Sequence, residues 1–218
     1  MQTEFGREET QTEARARYLK EMMRVRGVTA QQLSDITGIS KRTIERYMSG
    51  RTDLANAAGA SVAVIAHALS INAYILGGAE AIKPGASFSS NGKRLADTGR
   101  RYSECGTWWP RHNFKRVLDY NKLTPEMLSE RSGVPCRTIT DILAGRTDIR
   151  KVRANAIFKM CRVMIFHPYF LYELRDMREY KGYLQAYYDK RKEDKIKAKA
   201  MGELQEIINR LKADEGEE

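Results

Sequence analysis

Residues 29–53 read TAQQLSDITGISKRTIERYMSGRTD, and residues 124–148 read TPEMLSERSGVPCRTITDILAGRTD. The two stretches align without a gap at an offset of 95 residues, and 11 of the 25 positions are identical. The register extends outwards: Leu19, Met22 and Met23 pair with Phe114, Val117 and Leu118, and Val62, Ile65, Ala66 and Leu69 pair with Ile157, Met160, Cys161 and Met164. Each unit is therefore about 60 residues long, enough for a small helical domain, and the period is too long for the common solenoids.

Apolar spacing inside each unit is helical. Val62, Ile65, Ala66 and Leu69 fall at i, i+3, i+4 and i+7, one stripe of an amphipathic helix, and the partner positions repeat it. Strand alternation is absent. Thr29 stands at an N-cap with Gln32 at the capping-box position, and Thr124 precedes Pro125, a residue favoured in a first helical turn. Gly38 and Gly133 close that short helix, because a left-handed terminal conformation costs glycine little. Ser40 and Pro135 open the next helix, which runs to Gly50 and Gly145. The expectation is an all-α chain with four or five helices per unit. Its parts are an N-terminal extension over 1–17, a first domain over 18–76, a linker over 77–112 carrying Gly-Gly, Pro-Gly and Ser-Ser-Asn-Gly turns, a second domain over 113–171, and charged C-terminal helices over 172–218.

The chain has 38 Lys and Arg against 28 Asp and Glu, a formal charge of +10. Residues 1–17 and 172–218 each sum to −1, so the intervening residues hold +12. A basic surplus confined to the folded middle points to a polyanionic partner, with a merely solvated basic surface as the competing reading. Three Cys and three His are scattered without C-x-x-C or H-E-x-x-H spacing, which disfavours a zinc site and a disulfide framework. Lone cysteines fit a reducing, cytoplasmic compartment. No secretory signal and no run of about 18 apolar residues stands out, so no membrane partner is expected. Neither does a carboxylate pair, a Gly-rich phosphate loop or a nucleophile motif, so no enzyme activity, cofactor or metal is expected.

Two short helices joined at Gly38, in the run TAQQLSDITGISKRTIERYMSG, resemble the helix-turn-helix of the phage-repressor and Cro-like (XRE-type) class of bacterial DNA-binding domains. The second unit resembles a more divergent copy. The resemblance covers 18–76 and 113–171, over half of the chain, and implies two lambda-repressor-like domains in tandem with double-stranded DNA as partner. It assigns Lys41 and Arg42 to base edges, with Thr43 on the same face, and Glu45 and Arg46 to bases or nearby phosphates. It places Thr29 and Ala30 at the backbone-facing start of the first helix, and Arg51 and Thr52 in a phosphate-touching loop. The physical demand is that a helix in the major groove presents its N-terminal residues to bases while its apolar side packs on the preceding helix. Ile44, Tyr47 and Met48 form that apolar side, and Arg42 has the fork for a bidentate contact with guanine. An exposed polar face at Lys41 and Arg42, and bonding of Thr43 and Thr138 to their own helix ends, are the structural alternatives.

The matching face of the second unit is Cys136, Arg137, Thr138, Thr140 and Asp141, followed by Arg146 and Thr147. Asp141 stands where the first unit has Arg46 and repels phosphate, while Arg150, Lys151 and Arg153 restore part of the positive field. This unit either reads different bases or docks a protein. At a helix N-terminus the Cys136 thiol has its pKa lowered, which opens redox sensing against the plainer reading of an incidental thiol. Tyr102, Trp108 and Trp109, among arginines, either stack on bases or dock the linker. Beyond 171, Met177, Tyr180, Leu184 and Tyr187 make one helical stripe, and Met201, Leu204, Ile208 and Leu211 make another. The second stripe suits a homodimer or a helix folded back on its own domain. The leading expectation is a sequence-specific DNA-binding transcriptional regulator, a repressor of phage or mobile-element type. The alternative is a mobile-element inhibitor or antitoxin that binds a protein target and autoregulates its gene through one helix-turn-helix. The sequence leaves the arrangement of the two units open.

Overall fold

Capping decides where the helices begin. The computed structural model describes residues 9–82 and 108–174, together with helical positions at 189, 192, 193, 197, 199 and 201. Thr10 and Glu13 form a reciprocal capping box that opens α1 (Gln11–Arg26). Residues 11–17, expected as an extension, are thus the start of this helix, and Ala14, Arg15 and Ala16 within them are buried. Thr29 and Gln32 form the expected box ahead of α2 (Ala30–Thr37), and Ser40 caps α3 (Lys41–Met48). A 3-10 turn at Leu54–Asn56 leads to α4 (Gly59–Ala68) and α5 (Ala73–Leu76).

The second copy repeats the order. It comprises α6 (Trp108–Tyr120), α7 (Pro125–Ser132) behind the Thr124 cap, α8 (Cys136–Ala144), a 3-10 turn at Ile149–Lys151, α9 (Ala154–Val163) and α10 (Pro168–Leu171). α6 therefore starts inside the expected linker. The shared Asp of the two GRTD runs has a local cause: Asp53 and Asp148 each cap a 3-10 turn, accepting from the N–H of Ala55 and Arg150 at 3.0 Å. Among the described residues there are ten α-helices and no strand, and no helix is long and apolar enough to cross a membrane.

Equivalent positions fill the two cores. Leu19, Leu33, Ile44 and Leu69 are fully buried in the first copy, as are Phe114, Leu128, Ile139 and Met164 in the second. Each such side chain contributes about 1.5 to 3 kcal/mol.

The copies also pack on each other. Their described residues lie in one compact unit, residues 1–175, and residues 176–218 form a second unit. Gly59 N–H donates to the Val152 carbonyl at 2.8 Å, and Ala154 N–H donates to the Ala57 carbonyl at 2.8 Å. The 95-residue offset turns 57 into 152 and 59 into 154, so the repeat exchanges these two bonds. That is the signature of a local two-fold axis and of an isologous interface inside one chain. The surrounding contacts obey it: α4 meets α9, α4 and α9 each touch the other copy's 3-10 turn, and α5 packs on α9 as α10 packs on α4. At the seam a Cβ on Gly59 would come within 2.6 Å of Ile157 Cγ2, so the close approach needs glycine there. Tyr169 crosses the seam to donate its hydroxyl to the Ile71 carbonyl at 2.8 Å.

α4 shows the consequence. All ten of its residues are buried, whereas Lys159 and Arg162 of α9 remain exposed. Of the stripes expected beyond 171, Met201 alone falls among the described residues; it is helical and exposed. The remaining stripe residues, Tyr102, Cys105 and the side chains of Trp108 and Trp109 lie outside them.

Candidate nucleic-acid interface

Both turns between paired helices are built alike. The Thr37 hydroxyl donates to the Leu33 carbonyl at 2.6 Å and accepts from Ile39 N–H at 3.3 Å, and Ser132 accepts from Val134 N–H at 3.2 Å. Gly38 and Gly133 hold φ of 70° and 68°, the left-handed region that a side chain resists. Ile39 and Val134 then bury themselves, and α3 packs on α2 as α8 packs on α7. A bent helix pair with one buried and one free side results in each copy.

On α3, Ile44 and Tyr47 are buried and Met48 is half-buried, while Lys41, Arg42, Glu45 and Arg46 are exposed. This division is the one that the apolar spacing predicts. Lys41 lies 3.8 Å from Glu45, a surface pair that contributes under about 1 kcal/mol. The guanidinium groups of Arg42, Arg46 and Arg51 make no ion pair or hydrogen bond among the described residues, and all three residues are exposed. Thr43 bonds its own helix end, with Oγ1 2.8 Å from Ser40 Oγ and its N–H donating to that same oxygen at 3.3 Å. Thr29 is exposed but engaged in its capping box, and Thr52 is half-buried with its N–H on the Arg46 carbonyl.

The α8 face has the same skeleton and a different charge state. Ile139 and Ile142 are buried. Arg146 Nε donates to Asp141 Oδ1 at 2.6 Å, and Arg137 Nε stands 3.9 Å from Asp141 Oδ2. Asp141, the acid expected to repel phosphate, therefore pairs closely with Arg146 and stands at the distance of a weak surface pair from Arg137, offsetting part of the positive charge of this face. Thr140 donates its hydroxyl to the Arg137 carbonyl at 3.0 Å, whereas Thr138, expected to bond its own helix end as Thr43 does, makes no side-chain cap at the start of α8. Thr138 and Thr147 are half-buried and line a cleft beside α8.

The expected lowering of the Cys136 thiol pKa is corrected. Partial desolvation, and then the charge of Glu126 accepting from Sγ at 3.8 Å, raise the thiol above its ordinary value. Cys161 is fully buried, and burial pushes its thiol up as well. Among the described residues, no group of three or more His, Cys, Asp or Glu gathers as metal ligands would.

One positioning pair escapes sequence reasoning. Arg15 Nε and Nη2 each donate to Asp53 at 2.9 Å, a bidentate pair with both side chains mostly buried. It ties α1 to the loop that carries Arg51 and Thr52. Burial pulls the Asp53 carboxyl up, but the Arg15 bonds, the Ala55 N–H and the Arg15 charge together hold it below the usual carboxylate range. In the second copy the position of Arg15 is Pro110, so Asp148 pairs with Arg150, two residues away, at 2.9 Å. The identity of Asp53 and Asp148 was the available signal; their unequal partners were not readable from it.

Comparison with models of protein families, with curated proteins and with solved structures finds no match.

Proposed function

We propose that this chain is a sequence-specific DNA-binding regulator of transcription, a repressor of phage or mobile-element type, whose first copy inserts α3 into the major groove. The observation that carries the reading is the pairing of a packed inner side at Ile44 and Tyr47 with three exposed, uncompensated arginines, Arg42, Arg46 and Arg51. An uncompensated guanidinium keeps its full charge for phosphate and its fork for guanine. Arg42 reads a base edge, Arg46 a base or flanking phosphate, and Arg51 a phosphate that fixes register without reading sequence. The two-fold relation of the copies matches the two-fold relation of paired half-sites, so that a single chain engages two unequal half-sites.

Selection of bound duplexes from a random pool by the full chain tests this. A defined motif is expected, with affinity falling steeply as salt rises. Equal, weak binding to every sequence overturns it. The close pairing of Arg146 with Asp141, and the nearness of Arg137 to the same carboxylate, favour a second reading for the other copy, a protein-docking role in an inhibitor or antitoxin. Under that reading Asp141→Arg leaves DNA selectivity unchanged and abolishes inhibition of the target.

A further inference from the structure

The second copy has lost cations from its recognition helix and gained them elsewhere. Lys151, Arg153 and Lys159 occupy the positions of Asn56, Ala58 and Val64 in the first copy. All three are exposed, make no ion pair among the described residues, and line one groove of about 520 Å³ beside α8. Thr138 and Thr147 supply hydroxyls to the same groove, Asn56 reaches it from the first copy, and no carboxylate lines it.

Two helix starts converge there. Pro135 ahead of α8 and Arg153 ahead of α9 provide no side-chain cap, in contrast to Ser40 ahead of α3. The N–H groups of Asn155 and Ala156, in the first turn of α9, have no partner among the described residues, and both residues line the groove. Asn155 Oδ1 is buried without a hydrogen-bond partner. Amides at a helix start without a partner among the described residues, the positive end of the helix dipole and three cations that make no ion pair there, Lys151 being near the charge of Asp148, together make an environment suited to a tetrahedral oxyanion.

We propose that this groove is a phosphate-binding site. Its ligand is either the backbone of a duplex or a free phosphorylated small molecule, and the site does not depend on base reading by α3. The first copy cannot duplicate it, because its equivalent positions lack the cations and α4 is wholly buried.

The test compares the full chain with a groove variant, Lys151→Gln/Arg153→Gln/Lys159→Gln, and with a charge-matched control, Lys20→Gln/Lys115→Gln/Arg116→Gln, after circular dichroism and melting establish that all are folded. In one arm duplex affinity is followed against salt; a duplex backbone in the groove lowers the slope of the groove variant by about 2 to 3 relative to the control. In the other arm, calorimetry without DNA uses inorganic phosphate and adenosine monophosphate; a free phosphorylated ligand binds the unaltered chain and control alike and the groove variant at least tenfold more weakly. Either difference supports the site and names its source. If groove variant and control match in both arms, the proposal is overturned. Failure of the unaltered chain to bind any duplex sinks the DNA reading alone, and calorimetry then decides the groove.

Discussion

The exposed faces of α3 and α8 share a scaffold and differ in what their charges do. Ile44 and Ile139 are equally buried, Gly38 and Gly133 make the same turn, and Arg42 and Arg137 stand at the same position. Yet the guanidinium groups of Arg42 and Arg46 make no ion pair among the described residues, whereas Asp141 holds Arg146 and lies 3.9 Å from Arg137. Folding constrains the buried side of such a helix and leaves the other side free. Two copies in one chain can therefore keep one fold while one reads and the other serves a different contact.

The largest expected effects test the shared half of this comparison. Ile44→Ala and Ile139→Ala should each cost about 2 to 5 kcal/mol in urea unfolding, since each removes a fully buried side chain from an equivalent site. A large inequality would break the equivalence of the two packed sides.

Next come the arginines. Arg42→Ala should lose about 1 to 3 kcal/mol of discrimination at one base pair, and Arg137→Ala under about 0.5. Equal losses in a competition assay with single-base variants of the selected site would erase the asymmetry.

A smaller effect concerns the loop anchors. The folded-state carboxyls of Asp53 and Asp148 are both depressed, so their pairs stabilise the fold fully above the unfolded value of about 3.9 and lose that contribution as pH falls through the lower folded value. Asp53→Asn, which removes the bidentate partner of Arg15, should flatten the acid side of the stability profile by about 1 to 2 kcal/mol. Asp148→Asn, which removes only a local pair, should flatten it less. A reversed order in acid titrations of melting temperature would mean that the α1 tether is not the stronger anchor.

The smallest effect sharpens the contrast from the other direction. Asp141→Asn frees Arg137 and Arg146, and duplex affinity at low salt should rise about threefold, about 0.7 kcal/mol. No change would mean that the α8 face lies away from the duplex.

Much of the helix pairs α2–α3 and α7–α8 could be read in advance because their determinants are local. Thr29 and Thr124 cap the helices they precede, Gln32 closes the first capping box from inside α2, Gly38 and Gly133 end those helices, and Ile44 and Tyr47 turn inward as their spacing requires. Domain edges were less legible. Thr10 and Glu13 carry a capping box that starts α1 ahead of residue 18, a signal present in the sequence but overshadowed by the charge balance of the first 17 residues. The apolar stripe at Val62, Ile65, Ala66 and Leu69 describes only one side of α4. Ala60, Ala63, Val64 and Ala68 cover its other sides, and a helix apolar all round is one buried on every side.

From its residues alone, this chain specifies two copies of one helical motif, their caps and turns, and the inner and outer sides of each recognition helix, because spacing and local hydrogen bonding fix those features within a few residues. Tertiary structure alone decides that the copies join through α4 and α9 about a local two-fold, and that Lys151, Arg153 and Lys159 share a groove with Pro135 and with Asn56 of the other copy. Those outcomes depend on which surfaces meet across dozens of residues, and no local pattern records that distance.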